Sequence, residues 1–238
     1  LVDRFIATEA ETTGFGVRMV TVAHPNWRAK ALRLMRPMQV QTPGTRAWVL
    51  AREDAAVLLS DLRRRTDYRE HSSPHLLINN GQSAMVSATQ ARHYAQDLLL
   101  RGSGYELQTG RLDEGFTLEF SPLLSADRQM IDAVIRCNID QVEKMVPVVV
   151  DAPTAVAPRQ RTSIEVPQMT HFRFEERFRW PSDQVLLVEM GMVALPVAVD
   201  AKPKTLVPGV PLPLPKSPPR ADLLVFVEAR ARAGAVPN

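Results

Sequence analysis

The sequence predicts a mainly β protein with a few helices, of the α+β class. Three observations carry that expectation. Residues 131–139 (IDAVIRCNI) and 170–180 (THFRFEERFRW) alternate apolar and polar side chains, the period-two signature of a half-buried strand. Asn80-Gly81 stands between two apolar stretches in HLLINNGQSAMV (75–86), the strongest short-range signal for a β-hairpin. Only one stretch, REDAAVLLSDLRRR (52–65), reads as a firm amphipathic helix.

Taken in chain order, GFGVRMVTVA (14–23) reads as a strand and NWRAKALRLM (26–35) as a short helix or helical turn. TRAWVLA (45–51) follows Pro43-Gly44 and is again strand-like. The helix 52–65 has Glu53 and Asp54 at its start and Ala55, Leu58, Leu59 and Leu62 on one face. It closes on Arg63-Arg64-Arg65, cations that complement a helix C-terminus. The Asn80-Gly81 hairpin implies a type I′ turn, in which both central residues take positive φ. SATQARHYAQDLLLRGS (87–103) is partly helix-like, and GYELQTGRLDEGFTLEFSPLL (104–124) looks like two strands with a turn at Thr109-Gly110.

In MIDAVIRCNID (130–140), Ile131, Ala133, Ile135, Cys137 and Ile139 share one face, and only Val134 breaks the polar series opposite. That favours a strand over the competing helix. DAPTAVAPRQRTS (151–163) is a proline-containing linker or loop. In 170–180, Phe172, Phe174, Phe178 and Trp180 share a face with Thr170 and Glu176, while His171, Arg173, Glu175, Arg177 and Arg179 occupy the other. PSDQ (181–184) turns the chain, and VLLVEMGMVAL (185–195) returns as a strand buried on both faces apart from Glu189. KTLVPGVPLPLPKSPP (204–219) is an extended proline-rich connector, and ADLLVFVEARA (221–231) is a last strand. No fixed-period repeat is present.

The 238 residues suffice for one large or two small domains. Residues 1–50 form an N-terminal αβ segment, residues 51–232 a β core and residues 233–238 a tail. Hydrophobic residues are 45% and charged residues 23%, near the globular average. A net charge of +3, with acidic and basic residues interleaved, is a salt-laced surface and not a nucleic-acid footprint. The single cysteine, Cys137, excludes an internal disulfide and sits where a buried inert thiol is expected. The chain starts at Leu1 and not Met, which fits either an excised piece or a processed form, and is compatible with removal of a signal peptide. No apolar run has the length of a membrane helix, a test that does not detect membrane β-strands.

A catalytic set is not found. His71 and His75 are four apart, but Pro74 lies between them and no acidic residue stands between them. Gly102-Ser103-Gly104 lacks the Lys-Ser or Lys-Thr of a phosphate loop, and Cys137 has no histidine near it in sequence. The paired carboxylates Asp113-Glu114 and Glu175-Glu176 fall at turn or strand positions where solvated charge is the default. A hydrolase needs a nucleophile or metal together with a base. No catalytic, cofactor-binding or metal residue is therefore nominated, no cofactor is expected, and weight shifts to a non-enzymatic role. The arginine-flanked aromatic strand 170–180 fits a core-facing sheet strand better than a base-stacking platform; a lipid-facing strand of an oligomeric barrel has the same pattern.

In this order the segments resemble the core domain of the bacterial secretins, the ring-forming outer-membrane channel subunits of type II and type III secretion and type IV pilus systems. A secretin core begins with a helix feeding "ssP.l…nG..A", matched by DAAVLLSDLRRRTDYREHSSPHLLINNGQSAMV (54–86). A strand introduced by "G..L…P.ls" follows, matched by EGFTLEFSPLLS (114–125) and then the strand 131–139. A strand, a "dGq"-like turn and a "GG"-type strand are matched by THFRFEERFRWPSDQVLLVEMGM, and a "vP.l" connector with a last strand by VPGVPLPLPKSPPRADLLVFVEARA (207–231). The likeness spans residues 50 to 232. The chain departs from the pattern in the short 87–103 segment, in MGM for the double glycine, and in PLPLPKSPP where "lG.lF" is usual.

The resemblance implies a non-enzymatic subunit that works by oligomeric assembly in protein secretion or pilus-type export, located in the outer membrane or periplasm. It implies homo-oligomerisation, contact with other envelope or secretion-system proteins, membrane contact through β-strands and no nucleic-acid partner. Residues 1–50 would then be the remnant of a ring module, and the Asn80-Gly81 hairpin and strand 170–180 would carry assembly. The alternative is a soluble periplasmic or surface β-rich module that binds protein and forms no pore.

Overall fold

Two antiparallel sheets account for every described strand in the computed structural model, which describes residues 12–102, 104–153, 160–194 and 220–230. In chain order the elements are β1 (Thr12–Val22), α1 (Trp27–Ala31), β2 (Arg36–Met38), β3 (Arg46–Ala51), α2 (Arg52–Arg63), β4 (Tyr68–Ser72), β5 (His75–Asn79), β6 (Ala84–Arg101), β7 (Gly104–Leu124), β8 (Met130–Asp151), β9 (Arg161–Pro181), β10 (Gln184–Ala194) and β11 (Arg220–Arg230). The first sheet runs β2-β3-β10-β11-β1-β4, with β5 also paired to β1; the second is the meander β6-β7-β8-β9. The proline-rich connector 204–219 and the tail 233–238 lie outside the described residues.

Sequence explains why β10 and β11 are central. Leu186 and Val188 face the second sheet while Val185 and Leu187 face the helices, so the uninterrupted apolar run serves two cores at once. Between the sheets lie Phe15, Val17 and Met19 of β1 against Phe120, Ile135, Cys137, Phe174, Phe178 and Trp180 of β7, β8 and β9. Phe15 meets Phe120 edge-on, ring centroids 5.0 Å apart. On the other side, Trp27, Ala31, Ala55, Leu58 and Leu62 of the two helices cover Trp48, Leu50, Leu187 and Leu224. The result is three layers: helices, first sheet, second sheet.

Several expectations hold closely. The helix is Arg52–Arg63, with Ala55, Leu58 and Leu62 buried. The alternating faces of 131–139 and 170–180 are buried as expected, with Ile131 and Trp180 fully enclosed, but both strands extend far beyond those limits. Glu176, on the buried face, is satisfied by Gln41 N–H (2.9 Å), Thr42 N–H (2.5 Å) and Thr42 Oγ1 (2.6 Å), which fastens the β2–β3 loop to β9. Residues 12–50 contribute β1 and β3 directly to the first sheet, paired with β11 and β10.

Other expectations are corrected. Asn80-Gly81 does not close a hairpin, because β5 pairs with β1 while β6 pairs with β7 in the other sheet. Gln82 N–H bonds Asn79 O at 2.9 Å and, of the two central residues, only Gly81 has positive φ (83°), the type II arrangement and not type I′. The same holds at 181–184: β9 stays with β8 while β10 joins β3 and β11, so the strand does not return alongside its predecessor. Both turns carry the chain from one sheet to the other. Residues 87–101, read as partly helical, belong to the strand β6, whose Ala, Gln and Leu content is overridden by its ladder with β7. Residues 104–124 are one continuous strand. Gly110 is no turn residue; Tyr94 and Gln96 lie over it, 2.8 and 2.6 Å from where a Cβ would stand.

Candidate assembly surface

The second sheet changes character along its length. The β6–β7 ladder runs from Ala84↔Phe120 to Arg101↔Gly104, and the β8–β9 ladder from Met130↔Pro181 to Asp151↔Arg161. The ladder between β7 and β8 spans only Leu124↔Ile131 to Gly115↔Asp140. Beyond that point four strands become two separate two-stranded ribbons. The branch is set by Gly115, at φ 144°, where a Cβ would stand 2.1 Å from the Ala88 carbonyl oxygen. Only glycine allows β7 to leave β8 there.

Side chains, not backbone ladders, hold the ribbons near each other. Ala95 N–H donates to Glu165 Oε2 at 3.3 Å, and Val142 N–H to Glu114 Oε2 at 3.4 Å, with Glu114 also paired to Arg92 at 3.0 Å. The base is tied to the first sheet through Gln141, which exchanges hydrogen bonds with Ala194 (2.9 and 3.0 Å). Among the described residues, the outer edges of β6 and β9 and the inner edges of residues 104–114 and 141–151 carry no backbone ladder. Long unpaired edges are templates for another strand, and an isolated two-stranded ribbon is marginal in water.

The ribbon ends are apolar. Leu98 pairs with Leu107 and Leu100 with Tyr105 on one ribbon; Val146 pairs with Val166 and Val148 with Ile164 on the other. Leu100 is 67% and Val149 64% exposed, and Leu107 and Val166 are also open to solvent. Charged pairs bracket this band at the tips, Arg101–Glu106 at 3.0 Å and Arg161–Asp151 at 2.9 Å. The sequence signal for it was weak, since each run is short and flanked by charge.

Asn80-Gly81, one of the two features expected to carry assembly, stands at the opposite end of the second sheet. The Asn80 amide accepts from Leu124 N–H (2.6 Å) and donates to Leu124 O (3.2 Å), and Gly81 N–H bonds Pro122 O at 3.1 Å. Its work is to lash the crossover to β7. The other feature, the aromatic face of 170–180, is buried between the sheets, with Phe174, Phe178 and Trp180 each at most 3% exposed.

The groups with chemical potential are dispersed. His71 meets Thr21 Oγ1 at 2.8 Å, and burial, with Arg69 nearby, holds its pKa below the usual value. His75 lies instead near Arg230, 3.4 Å away. Cys137 is fully buried and its thiol is pushed up to about 12 by desolvation. Asp113 pairs with Arg111 and Glu175 with Arg136, both at 3.0 Å on the surface. One buried charge cluster escaped the sequence reading: Arg28 bonds both Glu189 and Asp222, the latter at 2.8 Å and shared with Trp27 Nε1 at 3.0 Å. Burial raises the Glu189 carboxyl above its ordinary range despite Arg28. Its members come from three distant segments, so spacing gives no hint of it.

No known family model matches the sequence, and no curated protein matches it. Among solved structures, the type IV competence pilus secretin PilQ of V. cholerae is similar to this chain at 14% identity and a TM-score of 0.32, over 92% of this chain. The chain spans 57% of the length of that protein. At that score the likeness carries no functional weight. Among the described residues no helix is long and apolar enough to cross a membrane, which says nothing about strands.

Proposed function

We propose that this chain is a non-enzymatic cell-envelope subunit that acts by oligomeric assembly, in the manner of a secretin channel subunit in protein secretion or pilus-type export. The observation that carries this reading is the pair of two-stranded ribbons beyond Gly115 and Asp140, whose backbone edges have no ladder partner. In an assembly, the ribbons of one copy extend the sheet of the next, so that each edge is paired and the wall closes. The order of the sequence motifs over residues 50–232 supports the same reading. The apolar band at the ribbon ends gives the assembled wall a zone for lipid or for another envelope protein.

The test is the mass of the protein in buffer and in detergent, by light scattering and by negative-stain imaging. Discrete ring-like oligomers are expected in detergent. A strictly monomeric chain at high concentration in both conditions overturns the reading and leaves the soluble protein-binding module in its place.

A further inference from the structure

A cavity of about 450 Å³ opens between α2 and the first sheet, on the side away from the ribbons. Five arginines line it, Arg18 from β1, Arg52 and Arg63 from α2, Arg64 just beyond α2, and Arg230 from β11, with Glu228 as the carboxylate among them. A second carboxylate, Glu70, stands beside Arg18 and Arg63. Each carboxylate is divided between two guanidinium groups: Glu70 is 3.3 Å from both Arg18 and Arg63, while Glu228 is 3.9 Å from Arg52 and 3.7 Å from Arg230. Elsewhere this chain closes Arg177 on Asp132 at 2.6 Å and Arg65 on Asp67 at 2.8 Å, the spacing of a well-made charge-assisted bond. The cavity's pairs are loose by comparison. Arg64 makes no ion pair among the described residues. Among the described residues, three positive charges are thus left over around one concavity.

The arrangement is also held in place. Arg52 Nη2 donates to Ala229 O at 2.7 Å and Ser182 O at 3.1 Å, which fixes its guanidinium plane. Its Nε is shut off from water without a hydrogen-bond acceptor, an expensive state for a charged donor group. Beneath the arginines the floor is apolar: Ala55, Val185 and Phe226. A concavity of this volume with an apolar base and a few convergent charged donors has the make-up of a small-molecule site. A single carboxylate would leave most of the surplus charge unanswered, whereas a phosphomonoester or diphosphate places two or more negative charges on one compact group and matches the guanidinium fork.

We infer that this cavity binds a phosphate-bearing ligand, its phosphate held by Arg18, Arg63, Arg64 and Arg230 and its remainder against the apolar floor. The inference does not rest on the assembly reading, because the cavity lies within the first sheet and α2.

Isothermal titration calorimetry on the full chain tests it, with inorganic pyrophosphate and ATP as soluble probes and citrate as the carboxylate comparison. Saturable binding of one pyrophosphate or ATP per chain, tighter than citrate, is expected. Arg64→Glu, whose fold is verified by circular dichroism, should weaken binding by about tenfold or more, and Arg33→Glu, an exposed arginine outside the cavity, by less than about twofold. Co-sedimentation with phosphatidylcholine vesicles containing phosphatidic acid separates the sources. Arg64-dependent binding to the vesicles alone assigns the phosphate to a lipid headgroup, and binding to the soluble probes assigns it to a free metabolite. The inference is overturned if neither probe nor vesicle binds, if citrate binds as tightly, or if Arg33→Glu weakens binding as much as Arg64→Glu.

Discussion

The four strands of the second sheet live in two environments. Near the first sheet, Ile131, Ile135, Phe178 and Trp180 are enclosed and the alternation of side chains is answered by a core. Beyond Gly115 and Asp140 the same strands leave both their neighbours and their core, and Leu100, Leu107 and Val149 meet solvent. Within each ribbon the backbone ladder runs on past the boundary, with a register shift at Ala95/Asp97 and another at Val142/Lys144, while the β7–β8 ladder ends at Gly115 and Asp140. Burial changes at the same place. The proximal half is a finished structure; the distal half holds the same kind of strand without the partner that normally stabilises one.

The largest effect follows from removing a proximal anchor. Trp180→Ala is expected to cost about 3–5 kcal/mol in urea unfolding, whereas Leu100→Ala, exposed on a ribbon, should change stability by less than about 0.5 kcal/mol. Comparable losses at both positions would erase the distinction between the halves.

At the boundary, Gly115→Ala should cost about 2–3 kcal/mol, because both its positive φ and the Ala88 carbonyl oppose a Cβ. Gly104→Ala at the ribbon tip, where nothing lies within 4 Å, should be within about 0.5 kcal/mol of the parent. Thermal unfolding of the two variants checks this.

At the crossover, Asn80→Ala removes both hydrogen bonds to Leu124 and should cost about 1–2 kcal/mol. Gly81→Ala should cost about 1 kcal/mol for the positive φ. These losses belong to folding and are read by denaturation without an activity assay.

The smallest effect is electrostatic. The Glu189 carboxyl is raised by burial, so the folded state holds its proton more tightly than the unfolded chain does. That contribution is fully present below the unfolded carboxylate pKa of about 4.3 and is lost as pH rises through the raised folded value. Asp132 runs the other way: its bond to Arg177 lowers its pKa, and the stability it adds above the unfolded value is lost as pH falls through the lowered folded value. Glu189→Gln should therefore flatten the decline on the higher-pH side and leave the acid limb unchanged.

The division between the halves also explains what could be read from sequence. The alternation at 131–139 and 170–180 was legible because one face is buried there and the pattern records it. Residues 87–101 were not, since a ribbon without a core imposes no alternation and its helix-forming residues mislead. The turns at Asn80-Gly81 and 181–184 were visible as turns, yet a turn specifies reversal and not which strand becomes the neighbour. Arg63-Arg64-Arg65 read as a helix C-terminus, but the three side chains part: Arg65 goes to Asp67, Arg63 to Glu70, and Arg64 to the cavity. That cavity draws its arginines from segments as far apart as Arg18 and Arg230, where no local pattern reaches.

Hydrogen exchange resolved along each strand, measured on the monomer and on the detergent-assembled protein, tests the central claim most directly. Amides of residues 131–139 and 172–180 should be protected in both states. Amides of 87–100 and 141–150 should exchange quickly in the monomer and become protected on assembly. Equal protection of both halves in the monomer, or ribbons that stay open to exchange in the assembled protein, would contradict it.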